Sequence, residues 1–238
     1  RGAFLHEVLA ARELAEYLVA LTERFGRRAV ALVTDMDEPL GRAIGTGLEV
    51  IEARDFLRGT SRDPRLGAVV MALGSALLAV AGLAGDADAR LTDALESGAA
   101  YARFGAMLAA QGASPGALER LAPHPVDADA RAQADGFVRT IDAVALGELA
   151  RELTQQAGSG AGIVVRARAG AAVHRGDALA TVYGGATAAA RACEAFDIGP
   201  VAPPSRPLVY CEIGSREAGS RAEISGPVTV PRSMLESR

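Results

Sequence analysis

TDMDEPLGRAIGTGLEVIE, residues Thr34–Glu52, is the stretch on which the reading of this chain turns. Just ahead of it, Ala29-Val-Ala-Leu-Val-Thr34 is a short apolar run behind Arg27 and Arg28. It reads as a strand buried on both faces. Asp35-Met-Asp-Glu-Pro39 breaks it; Gly41, Gly45 and Gly47 follow; then Leu48 to Leu57 carries helical spacing. The order is strand, glycine-rich turn, helix. Such a turn points free N–H groups at anions, yet the glycine spacing fits neither G-x-G-x-x-G nor G-x-x-x-x-G-K-[ST]. Its carbonyls are equally available to a cation. Asp35, Asp37 and Glu38 form an acidic knot that either coordinates a hard cation or is a solvated turn. Glu49 and Glu52 lie at i, i+3 on one helix face, able to bind a metal, to work as acid and base, or simply to meet solvent and salt-bridge partners.

Outward from this stretch, residues 7–25 read as a helix. Val8, Leu9, Leu14, Leu18 and Leu21 form its apolar stripe, and Arg12, Glu13, Glu16 and Glu23 its solvated side. Leu66 to Gly85 is twenty residues without a charge, the length of a membrane span. It is rich in Ala and Gly and lacks Lys/Arg and Trp/Tyr anchors at both ends. A buried Ala-rich helix opened by Pro64 is the expectation, with small residues permitting close helix packing. Asp86 to Glu96 and Ala99 to Gln111 read as two helices broken at Ser97-Gly98. Pro115, Pro123 and Pro125 mark a boundary. Beyond it, strands are expected at Gly136–Ile141, Gly162–Arg166, Asp177–Tyr183 and Pro207–Ile213, and helices at Val144–Gln155 and Ala186–Phe196. The tail from Gly214 is polar and aperiodic, which predicts disorder.

Composition closes several routes. The 238 residues are 50% apolar and 23% charged, ordinary globular values. Aromatics are 4% and Trp is absent, so the core must come from Ala, Val, Leu and Ile. All 25 basic residues are Arg, which excludes Schiff-base, Walker-lysine, lipoyl and biotinyl chemistry. A net charge of −4 argues against a nucleic-acid partner. Cys193 and Cys211 make neither a disulfide framework nor a zinc site, and reduced thiols in the cytoplasm are the expectation. His6, His124 and His174 are scattered and read as surface residues. The chain opens on Arg-Gly-Ala-Phe with no basic and apolar leader, which reads as a trimmed or partial chain without a signal peptide.

Five further segments, together with Thr34–Glu52, resemble one family. TDMDEPLGRAIGTGLEVIEA resembles the signature of the thymidine phosphorylase and pyrimidine-nucleoside phosphorylase family. Arg1-Gly-Ala-Phe4 resembles its S-G-A-F element. Ser97-Gly98 with Phe104 to Gln111 resembles S-G-x-A-x-x-x-F-x-x-M-x-x-x-Q. Asp135-Gly-Phe-Val, Ile141-Asp142 with Leu146-Gly147, and Arg175-Gly-Asp-Ala-Leu-Ala follow in the family's order. The resemblance spans about residues 1–213. The segment Gly170 to Tyr183 is also similar to the hammerhead-type β module of lipoyl and biotinyl carriers, without their lysine.

The resemblance implies an α/β fold: a mixed sheet with a helical layer over residues 1–122, then a smaller α+β C-terminal domain with a hammerhead-like module over 123–213, and a tail, 214–238. It implies phosphorolysis, in which phosphate attacks the anomeric carbon of a pyrimidine (deoxy)nucleoside and releases the base and (deoxy)ribose 1-phosphate. The family's phosphate loop, K-H-S-T-G-G-V-G-D, and its pyrimidine-holding Arg, Ser and Lys are absent here. The expectation is therefore a C-terminal portion, inactive alone, with no catalytic residue of its own. Its partners would be pyrimidine nucleoside and phosphate, met through the missing half, and no membrane; full-length members are homodimeric. Carried over by position, a potassium-type monovalent cation would be held by the carbonyls of Leu40 and Ala43 and by Glu52, and Phe4 would lie against the pyrimidine. Where the family reads G-N-A-L-E-V this chain has Gly45-Thr-Gly-Leu-Glu-Val50, which predicts a looser turn; Gly160 stands where many relatives carry Asp, and Arg1 where they carry Ser. The alternatives are a related nucleotide phosphorylase or phosphoribosyltransferase, and a non-catalytic binding module on the same fold.

Overall fold

The structure, a computed structural model, describes Leu5 and residues 7–214. Phe4, His6 and the tail beyond Gly214 lie outside the described residues. In chain order the elements are α1 (Val8–Arg24), β1 (Val30–Thr34), β2 (Ala43–Ile44), α2 (Thr46–Arg58), α3 (Pro64–Val80), α4 (Ala87–Glu96), α5 (Ala99–Ala110) and α6 (Ala117–Arg120). There follow β3 (Val126–Arg131), β4 (Gly136–Ile141), α7 (Ala143–Ala157), β5 (Gly162–Val165), β6 (Ala172–Val173), β7 (Ala178–Tyr183), α8 (Ala188–Glu194), β8 (Phe196–Gly199) and β9 (Val209–Gly214). The fold is mixed α and β, and every strand pairing among the described residues is antiparallel.

Two compact units share the chain. The first takes Met36–Ser61 and Ala100–Ser205; the compositional break near residue 122 falls within it. Its strands form a four-stranded sheet in the order β2-β5-β7-β3 and a three-stranded sheet in the order β6-β4-β8. Helix α7 starts where Asp142 accepts a hydrogen bond from the Ala145 N–H at 3.0 Å. It then buries Leu146, Leu149, Ala150 and Leu153, a single helical stripe. These meet Val138 of β4, Ile163 and Val165 of β5, and Leu179 and Val182 of β7 in one continuous core.

Of the described residues, the second unit takes those up to Asp35, Arg62–Ala99 and Arg206–Gly214. β1 pairs with β9, with Val33 opposite Cys211. The expectation of a strand buried on both faces is corrected: all five residues of β1 are only half-buried. The stripe expected on α1 is corrected as well. The helix buries Ala15 and Val19, while Val8, Leu9, Leu14, Leu18 and Leu21 are exposed. Alanine lets the helix approach β1 and β9 closely, so the small face turns inward. Helix α3 buries one face, through Gly67, Ala68, Val69, Met71, Ala72, Ser75, Ala76 and Ala79, while Val70, Leu73 and Leu77 on its other side are exposed. No described helix is long and apolar enough to cross a membrane. At Gly74 a side chain would meet the Leu91 methyls of α4 at 2.8 Å, so the two helices touch backbone to side chain.

Candidate functional site

Within the first unit, the turn over residues 38–47 packs on the loop that leaves β5. β2 pairs with β5, placing Ala43 opposite Val164 and Ile44 opposite Ile163. The pairing extends one residue upstream, where Val165 N–H donates to the Arg42 carbonyl at 2.8 Å. The helix that follows sends two carboxylates back over the turn. Glu52 Oε1 accepts from Arg42 N–H at 2.7 Å and Oε2 from Ala43 N–H at 3.3 Å. Glu49 Oε1 accepts from Gly45 N–H at 3.0 Å. Three amides of the turn, those of Arg42, Ala43 and Gly45, are thus bonded to the chain's own acids. Glu49 and Glu52 shape backbone rather than act as a facing acid–base pair. Gly41 makes the geometry possible, because a Cβ there would lie 2.0 Å from Glu52 Oε2.

Two arginines cross between turn and loop. Arg42 Nη1 donates to the carbonyls of Val165 and Arg166, at 3.4 and 3.0 Å. In return Arg168 donates through Nη1 to the Pro39 carbonyl and through Nη2 to the Leu40 carbonyl, the latter at 3.1 Å. Glu38 Oε2 accepts from Ala169 N–H at 3.2 Å and lies 3.9 Å from Arg168 Nη1. Both side chains of this ion pair are well sheltered, at 16% and 13% exposure. Neither arginine was singled out in the sequence. The available hint was a pair of arginines two apart, Arg166 and Arg168, at the end of an apolar strand.

The acidic knot does not form one site. Asp35 is buried in the second unit, where Oδ2 accepts from Arg65 Nη2 at 2.7 Å. Glu38 belongs to the first unit and to Arg168. Among the described residues no cluster of three His, Cys, Asp or Glu side chains could hold a metal ion. The three positions named for a monovalent cation sit on this turn. Glu52 reaches Ala43, but through its N–H, and the Leu40 carbonyl already accepts a guanidinium. The set as it stands is not an open oxygen cage. His124 and His174 are exposed; His174 Nδ1 lies 3.7 Å from Asp135, itself exposed.

Nearby, in the same unit, Tyr101 O–H donates to Glu119 Oε1 at 2.8 Å and accepts from Arg58 Nη2 at 2.6 Å. The Arg58 guanidinium also stacks over the ring at 4.7 Å. Desolvation, then the bond to Glu119, raises the phenol's pKa, and the same bond holds the Glu119 carboxyl below its ordinary value. The cluster ties α2, α5 and α6 together on the surface.

A thymidine phosphorylase of Mesorhizobium japonicum is 37% identical over 208 residues, covering 82% of this chain and 47% of that protein. A pyrimidine-nucleoside phosphorylase of Geobacillus stearothermophilus is 33% identical over 199 residues, 76% of this chain and 45% of that protein. A thymidine phosphorylase of Burkholderia lata is 39% identical over 153 residues, 61% of this chain and 35% of that protein. No protein-family model matches. The chain is a part-length relative of the thymidine phosphorylase and pyrimidine-nucleoside phosphorylase family, spanning less than half the length of these curated relatives.

Proposed function

We propose that this chain is the C-terminal portion of a pyrimidine-nucleoside phosphorylase, and that it supplies a wall of the nucleoside pocket rather than the reacting groups. The match at 33–39% identity to proteins of those names carries the reading. Phosphorolysis needs a cradle for anionic phosphate and a way to stabilise charge building on the departing pyrimidine. The amides of Arg42, Ala43 and Gly45 are engaged by Glu52 and Glu49, which supports a structural rather than a phosphate-binding part for them. We place both requirements in the part of the longer relatives outside the matched region. Phe4 is proposed as an apolar wall beside the base. Residues 170–183 would be a hammerhead-like support that has no lysine to carry a cofactor.

The test joins this chain to the upstream half of the Mesorhizobium relative and follows phosphate-dependent release of thymine from thymidine and uracil from uridine. The fusion should turn over at least one of them, and the 238-residue chain alone neither. Turnover by the isolated chain would overturn the division of labour. A folded fusion that splits neither nucleoside would overturn the reading itself.

A further inference from the structure

We propose that Arg168 is the resident cation of the 38–43 turn: its guanidinium occupies the Leu40 carbonyl that a bound monovalent ion would share with Ala43 and Glu52, takes the Pro39 carbonyl beside it, and closes the turn without an ion. Three observations carry this. The guanidinium donates to two successive carbonyls, Pro39 and Leu40, from a residue on another segment. Glu38 stands 3.9 Å from it as a sheltered counter-charge. The Glu52 carboxylate, the anionic ligand such an ion would need, is turned onto the amides of Arg42 and Ala43.

An ion on the Leu40 oxygen would sit only a few ångströms from a permanent positive charge. The repulsion is strong there, because partly buried charges are poorly screened. A guanidinium never loses its charge, and its planar fork suits two adjacent acceptors. The neighbouring Arg42 makes the reciprocal bonds to Val165 and Arg166, so turn and loop are laced in both directions.

This inference goes beyond the phosphorylase reading, and its test measures stability, not turnover; either can fail alone. Thermal unfolding of the 238-residue chain is compared in potassium chloride and in tetramethylammonium chloride at equal ionic strength. The unsubstituted chain should give the same midpoint in both. Arg168→Met should unfold lower in tetramethylammonium and recover with saturable dependence on potassium, a gain of about 2–4 °C for each 1 kcal/mol restored in a chain of this size. Arg168→Lys should stay indifferent to potassium, since it keeps the charge. A saturable potassium-specific rise in the unsubstituted chain would overturn the proposal, as would a folded Arg168→Met with equal midpoints in the two salts. Should Arg168→Met fail to fold in either salt, thallium(I) NMR of the unsubstituted chain decides: specific line broadening overturns the proposal and its absence supports it.

Discussion

Glu52 reaches back ten residues to the Arg42 amide and nine to that of Ala43. Hydrogen bonds from backbone N–H to an ionised carboxylate contribute more than neutral ones, about 1.5–3 kcal/mol. Glu52→Gln keeps one acceptor oxygen but puts an amide NH₂ opposite the other N–H donor and removes the charge, and should destabilise the chain by about 1–3 kcal/mol in urea unfolding. Gly41→Ala should act in the same direction by another route, since its Cβ would fall 2.0 Å from Oε2 and push the carboxylate away. The two changes remove one interaction, so their effects should not add; full additivity would mean that Gly41 matters for something other than Glu52. Glu152 gives a residue-scale test with pH. Its bidentate hydrogen bonds from Arg191 hold its carboxyl below the ordinary glutamate value, against a smaller opposing desolvation. A depressed folded pKa stabilises above the unfolded value, and that contribution is lost as pH falls through the folded one. The stability gap between the natural chain and Glu152→Gln should therefore be present at neutral pH and close in acid; a gap that persists below the carboxylate range would rule the pair out as its source. The pair is exposed, so the gap is small.

At the scale of elements, helix α3 depends on Asp63, whose Oδ1 accepts from the N–H groups of Arg65 and Leu66 at 3.0 and 3.1 Å, with Pro64 pre-set for the first turn. Asp63→Ala should cost about 1 kcal/mol, within the range of about 0.5–2 for such caps, and Asp63→Asn much less. Helix α2 makes a different demand. Its second residue, Gly47, is buried, and a Cβ there would lie 2.0 Å from the Ser159 carbonyl. Gly47 lets α2 seat against the loop before β5, and Gly160 plays the same part against Ala122 and His124. Gly47→Ala should cost about 1–3 kcal/mol as overpacking, despite the better helix propensity of Ala; a stabilised variant would contradict the contact. Much of this was legible beforehand. Strand, turn and helix over residues 29–58 follow from apolar runs and glycines, and α3, α4, α5 and α7 from periodicity. What escaped has a common cause. β3 alternates Asp and Ala, so its inward face is too small to register as apolar, and β2, β6 and α6 are too short to carry a period. On α1 a buried alanine face looks neutral beside exposed leucines, so sequence alone points to the wrong side of the helix. Arg168 meets Leu40 across 128 residues, a distance at which no local pattern speaks.

For the molecule as a whole, the two units differ in what they bury. The first encloses Val138, Leu146, Ile163, Val165, Leu179 and Val182 completely, large side chains each contributing about 1.5–3 kcal/mol on burial. The second is built largely on alanine (Ala15, Ala68, Ala72, Ala76 and Ala79), with Val19, Val69, Met71, Leu95 and Val209 as its larger members. An alanine methyl contributes about 0.8 kcal/mol by the same measure. The second unit's sheet has two strands, a number that is marginal without packing support. Meanwhile Leu9, Tyr17, Phe25 and Leu77 stay open to solvent, at 77%, 75%, 78% and 69% exposure. Apolar area left outside adds nothing to the native state. Local opening in the second unit should therefore cost less than opening of the first, and amide hydrogen exchange reads this directly. The N–H groups of β5, β7 and α7 should exchange slowest, and those of β1, β9 and α1 at least tenfold faster, a difference of about 1.4 kcal/mol in opening free energy. Helix α3, capped and buried along one face, should be the slowest part of the second unit. Equal protection across β1 and β7 would show the chain opening as one cooperative body, and would mean that alanine packing supports the second unit as firmly as leucine and isoleucine support the first.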